Sequence, residues 1–238
     1  MRPVLVPAEM AGRELMRRRT ALALLTALPL AFYAAHASDG PEAIEVGGLT
    51  MAFSISGAAI FTVISARRVD RRLALAGYRS WQLMLGRVAV LTLLGAIVAA
   101  AFALVMTLGS SPERPWALLA GVQLTALVGV PFGIAVGALA PRELVAVLVM
   151  IGVVGIQLSL HTSDAVAKAL PFWAPRRVLE FAAGEPLSAA TMTSIALAWT
   201  AALLAAAAAI SARRVRIARP ARLPRRTQPV PERAASRQ

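Results

Sequence analysis

The chain has 238 residues, a net charge of +13 and a mean hydropathy of +0.68, with only 16% charged residues. A soluble domain carries about 25% charged residues, so the composition points to a polytopic membrane protein. The absence of cysteine excludes disulfides, thiolate-bound zinc, iron–sulfur clusters and cysteine nucleophiles, and the clustering of the positive charge argues for a membrane side rather than for nucleic acid as its partner.

Residues 1–19 form a cytoplasmic segment in which 7–19 read as an amphipathic interfacial helix. Pro7 suits a first helical position, and Glu9, Arg13 and Arg17 repeat at i, i+4. Such a helix rests its arginines against anionic lipid headgroups; a plain positive flank fixing orientation is the other reading. The first apolar run covers 20–36. Arg17-Arg18-Arg19 ahead of it and Ala35-His36-Ala37 behind it imitate a cleavable signal. The charged lead is long for that role, so a retained span is expected.

Five more apolar runs follow at roughly 47–66, 87–109, 116–140, 143–161 and 188–211. None has a charge near its middle, and their Ala/Leu/Gly-rich character lacks the alternation of a barrel strand, leaving helices as the reading. The expected architecture is therefore all-α, with six transmembrane helices filling 20–211.

The connection at 66–87 holds six arginines (67, 68, 71, 72, 79 and 87) against one acid, Asp70. "RRVDRRLALAG" has helical character, Gly77 is a natural stop, and Ser80 can cap a helix that starts at Trp81 and runs into the third span. This helix–turn–helix either simply fixes topology or also offers a surface to a soluble partner.

In the fourth span, Gly121, Thr125, Gly129, Gly133 and Gly137 recur every fourth residue and form one ridge. Small residues at that spacing admit a second helix closely, either within the chain or from another subunit. Pro131 lies on the same span and predicts a kink. Between the fifth and sixth spans, 162–187, Pro171 and Pro175 bracket Phe172 and Trp173. The pattern predicts a short helix, a break over 171–175, and a second short helix from Arg176 to Ala183 at or dipping into the outer face, with the aromatic rings at headgroup level; a simple extracellular loop is the alternative. Residues 212–238, rich in Arg and Pro, read as a disordered cytoplasmic tail.

Charge sets the orientation. With both termini inside, 21 of the 25 basic residues are cytoplasmic and seven of the 12 acids are external. Inverting the molecule would violate the positive-inside rule.

Chemistry-bearing residues are few. His36 and His161 lie near outer span ends, Lys168 lacks a glycine-rich approach, and no HExxH, GxSxG or Walker A sequence occurs. The span interiors hold Gln123, Thr125, Gln157 and Ser159 but no carboxylate, which argues against an ion-coupled transporter. No catalytic, metal or cofactor-binding residues are assigned.

The pattern resembles the membrane subunit of a type-2 ABC exporter. Members have six spans with both ends inside, an amphipathic helix before the first, a cytoplasmic coupling helix between the second and third, and broken outer helices before the sixth. Residues 7–211 offer a counterpart to each. "LAGYRSWQLMLGRV", with Leu85-Gly86-Arg87 entering the third span, is similar to the family's leucine-rich stretch, turn and "LGR". It departs where Arg67-Arg68-Val69-Asp70 replaces a Glu-Arg-x-x-Gly type sequence and Gly77 replaces a proline.

The resemblance implies a separate ABC-type ATPase that holds ATP and Mg, contacted by Arg68, Asp70, Arg71, Arg72, Leu73 and Gly77. It implies a second permease subunit, as a homodimer or heterodimer, and a plasma-membrane location. It further implies export of a lipophilic drug, lipid or glycan-type substrate. A non-transporting assembly or sensor component is the alternative.

Overall fold

The computed structural model describes residues 9, 12, 13, 19–75, 77, 78 and 80–217. The expected interfacial helix at 7–19 and the tail beyond 217 lie almost wholly outside them; within the first, Arg13 pairs with Glu9 at 2.6 Å. All elements among the described residues are helical: α1 (Arg19–Ala35), α2 (Pro41–Leu75), α3 (Ser80–Ser110), α4 (Pro115–Leu139), α5 (Glu143–Ser159), α6 (Ala165–Lys168), α7 (Trp173–Ala182) and α8 (Ala189–Ile217). Four contain stretches long and apolar enough to cross a bilayer: Glu42–Arg67, Trp81–Ser110, Pro115–Leu139 and Ala189–Ala212. The apolar helices α1 and α5 are shorter, at 17 residues each.

Helix ends follow the sequence's punctuation. Pro115 occupies the first turn of α4, where no intrahelical donor is needed. Gly77, at φ +96°, turns the chain out of α2 while Tyr78 N–H donates to Leu73 C=O at 3.1 Å. Gly184, at φ +119°, does the same after α7, with Gly184 N–H on Phe181 and Glu185 N–H on Glu180. Both are Schellman closures, which satisfy the last carbonyls of a helix and favour glycine.

The bundle is built around α2 and α4. Their spanning windows are 78% buried, against 28% for α3 and 17% for α8. Small residues on α4 bring α2 close, and α7 wedges between α2, α4 and α8. Two apolar clusters flank this axis. One joins α1, α2, α3 and α4 around Tyr33, Phe102, Met106 and Val122. The other joins α2, α4, α5, α7 and α8 around Phe53, Phe132, Met150 and Phe172.

The helix–turn–helix expected in the connection is present, turning at Gly77 and restarting at Ser80, and its first helix is continuous with the second span: α2 runs unbroken for 35 residues, about 52 Å at 1.5 Å per residue, which overshoots a hydrocarbon core of about 30 Å. Two expectations change. Helix α8 continues through 212–217, because nothing before Pro220 forbids helix. The break in the outer segment falls at 169–172, so Pro175 lies inside the first turn of α7, where its missing N–H costs nothing.

Candidate functional site

The arginine-rich end of α2 is pinned on two sides. Arg67 donates to the carbonyls of Gly137 and Ala140, both at 2.5 Å, and of Pro141 at 3.2 Å. These are the end carbonyls of α4 and its following turn, which lack helical donors of their own, so the guanidinium acts as a C-terminal cap and sits favourably on the helix dipole. One turn further, Asp70 accepts two hydrogen bonds from Arg87 of α3, at 2.8 and 3.1 Å. This ion pair is largely shielded from solvent.

Beyond those two fixings the helix end is open. Val69 and Arg72, three residues apart on one face, are exposed; Leu73 is half-buried and Gly77 exposed. Arg68 and Arg71 lie on α2, but their side chains are outside the described set. Of the residues singled out for coupling, then, Asp70 is an internal brace, and Arg72 and Gly77 are presented outward. Arg67 and Arg87 were missed as site residues. Leu85-Gly86-Arg87 carried a local signal for the second, whereas the carbonyls held by Arg67 are 70 to 74 residues away in the chain.

The small-residue ridge of α4 faces inward. A Cβ on Gly133 would lie 2.3 Å from Ser56 C=O and 2.7 Å from Ala59 Cβ; one on Gly137 would lie 3.2 Å from Ile60 Cα. Ser56 Oγ donates to Gly129 C=O at 3.1 Å, an interhelical bond that only close approach permits. Thr125 is fully buried and donates to Gly121 C=O at 2.9 Å. At the end of the pair away from Arg67, Leu179 of α7 fills the hole formed by Gly121 and Gly48 of α2, coming within 2.8 and 2.5 Å of the Cβ positions. Of the two readings of the ridge, the contacts are those of packing within one chain.

The segment between α5 and α8 is likewise drawn into the bundle. Phe172 is fully buried and meets Phe132 of α4 edge-on, with ring centroids 5.3 Å apart. The turn after Pro171 aims this ring at the bundle core. Trp173 remains half-exposed, its indole N–H donating to Thr162 C=O at 2.8 Å.

Arg176 anchors α7. It pairs with Glu45 of α2 at 2.5 Å and donates to the carbonyls of Gln157 and Leu160 at 2.5 and 2.6 Å, capping α5. Glu180 lies 3.6 Å from Arg176 and also accepts from Arg177. Arg114 holds the other end of α7, donating to Phe181 C=O at 2.6 Å with its guanidinium over the Phe181 ring. The His36 imidazole has a local role, its Nδ1 bonding Phe32 C=O at 2.9 Å, while at His161 the backbone N–H donates to the Asp164 carboxylate. Among the described residues no group of three or more His, Asp or Glu is placed to hold a metal.

These residues link the arginine-rich end of α2, beyond Arg67, to a plug at the opposite end of the bundle (α7) through one tightly packed pair, α2 and α4. No curated protein matches the chain. A family model described as "ABC-2 type transporter" matches residues 18–173, from α1 through the helical connection to the start of α7. That match covers about two thirds of the chain, and with its apolar helices it identifies a multi-pass membrane protein: the chain belongs to the ABC-2 type transporter family and is a permease subunit of that class.

Proposed function

We propose that this chain is the transmembrane half of an ATP-driven exporter with six spans and both termini in the cytoplasm of the cell that makes it, working in the plasma membrane. A separate ABC-type ATPase binds ATP and Mg and docks against the end of α2. A second permease subunit completes the pathway, and the apolar helix faces favour a lipophilic drug, lipid or glycan-type cargo.

The single observation that carries this reading is the continuity of α2. One helix runs from the bilayer into an overhang whose open face shows Val69 and Arg72, while Arg67 and Asp70 lock its base to α4 and α3. A force on the overhang would reach α4 through Arg67 and the glycine ridge, and α7 through Leu179. The three helices would then shift together, moving the outer plug when the motor closes.

The test uses Arg72→Cys, the sole thiol in an otherwise cysteine-free chain. In native membranes a short bifunctional thiol-to-amine cross-linker should capture an ATP-binding subunit. Inverted vesicles carrying that pair should accumulate a lipophilic fluorescent dye only with ATP. Capture of no ATPase overturns the coupling role; capture without ATP-dependent accumulation favours a non-transporting assembly or sensor component.

A further inference from the structure

Away from the α2–α4–α7 axis, a groove of about 320 Å³ opens on the flank of the bundle between α3, α4 and α8. That volume is at the lower end of the about 300–1,000 Å³ range of small-molecule sites. Its lining includes Thr92 and Ala96 of α3, Ala120, Gln123 and Leu127 of α4, and Thr193 of α8. Exposed Leu93, Ile97 and Leu197 follow the lining residues along α3 and α8, so the mouth opens to hydrocarbon rather than water.

The polar groups in this groove are few and uncharged. Gln123 Nε2 donates to Ala96 C=O at 3.0 Å, which fixes the amide plane. Among the described residues, Gln123 Oε1 accepts nothing. Thr193 already donates its hydroxyl hydrogen to Ala189 C=O at 2.9 Å. The groove therefore presents an amide acceptor in a setting where an unpaired polar group is costly.

Depth narrows the ligand. Gln123 is eight residues into α4, about 12 Å from its outer end. A donor at the headgroup surface does not reach it.

We propose that this groove binds a neutral lipophilic molecule that carries a hydroxyl or N–H within its apolar body. The donor bonds Gln123 Oε1 while the framework fills the space beside Ala96, Ala120 and Leu127. The molecule enters sideways from the bilayer. A charged ligand is disfavoured because no lining residue is ionisable. The inference stands apart from the transport reading, since it concerns binding to this chain alone.

The experiment is photolabelling of the purified chain in phospholipid nanodiscs. One probe is a diazirine derivative of a medium-chain secondary alcohol. The other is its methyl ether, which keeps the shape and loses the donor. Mass spectrometry should place alcohol adducts on the lining residues of α3, α4 and α8, with about fivefold more labelling than by the ether, the ratio one net hydrogen bond supplies. Gln123→Leu should abolish that preference and keep ether labelling. Ala120→Phe, which fills the groove without touching the Gln123 bond, should reduce labelling by both probes.

Equal labelling of the wild-type chain by alcohol and ether overturns the proposal and marks the groove as ordinary lipid packing. So does a preference that survives Gln123→Leu. If Gln123→Leu fails to fold, the wild-type ratio and Ala120→Phe decide between the same outcomes.

Discussion

Only one of the 25 basic residues is lysine, Lys168, and the structure supplies a physical reason for several of the arginines. Arg67, Arg114 and Arg176 each donate to carbonyls at or just beyond a helix C-terminus; Arg67 reaches three carbonyls with its two terminal nitrogens, and Arg176 holds two carbonyls with one nitrogen and Glu45 with the other. A lysine ammonium is a point donor on a flexible stem and does not reproduce that planar fork. At Arg176 the consequence is measurable. Arg176→Met would leave Glu45 shielded beside Glu180 with no guanidinium between them. Removing one partner of a buried ion pair costs about 3–5 kcal/mol, so its unfolding temperature in detergent should fall steeply. Arg176→Lys should fall between that variant and the wild type, because it keeps the charge but loses the fork; a lysine variant as stable as wild type would show that charge alone suffices. Gln157 presents the opposite case. Its side chain is fully buried, and neither polar atom has a partner among the described residues. Gln157→Met keeps the volume and removes both orphaned groups, so it should raise the melting temperature, by up to about 1–3 kcal/mol in stability; a lower one would mean that a buried water satisfies the amide.

At the scale of helices, the glycines of α4 and α5 behave oppositely. A side chain at Gly133 would collide with the backbone of α2 at Ser56, which has no rotamer to yield. Gly133→Leu should therefore separate α2 from α4 and cost more than about 3 kcal/mol, beyond the usual overpacking range, seen as loss of a cooperative unfolding transition in detergent. At Gly152 and Gly155 an added Cβ meets nothing within 4 Å. Alanine there should stabilise α5 by about 0.5–1 kcal/mol per site through helix propensity, read as a higher melting temperature. The four-residue spacing made the ridge legible in the sequence, but its partner was not, since Gly-x-x-x-Gly spacing reads the same whether α2 or a second subunit fills it. Helix positions were legible for a similar reason: apolar runs register burial and bilayer alike, and the ends of α1, α4 and α5 fall within two residues of the expected ones. The overshoot of α2 was hidden by its arginines, which end an apolar run without ending a helix. The burial of Phe172 was not legible, because a ring between two prolines carries no local mark of which way the turn will point it. The braces at Arg67 and Arg176 depend on carbonyls far along the chain, and backbone acceptors leave no signature in the letters.

For the whole molecule the governing quantity is the side on which charge lies. With the ends of α2 and α4 joined by Arg67, and α7 joined to α2 and α5 by Arg176 at the opposite end, the bundle has two polar poles separated by apolar helix. The pole at Arg67 carries the connection with six arginines, and the other carries Glu42, Glu45, Glu113, Glu180 and Glu185. Each basic residue near an anionic leaflet contributes about 1 kcal/mol, so the summed preference over the connection far exceeds the thermal energy and predicts one orientation, arginines inward. Two single thiols read it out, because the chain has none of its own. Glu185→Cys, exposed beyond α7, should react with a membrane-impermeant maleimide on intact cells. Arg72→Cys, exposed on the overhang of α2, should react only after the membrane is permeabilised. Neither position bears on the interior packing, so both variants should assemble normally and the labelling should report topology alone. Reversal of the two patterns would put the arginine pole outside and leave the overhang of α2 with no access to a cytoplasmic motor, whatever the fold within the bilayer.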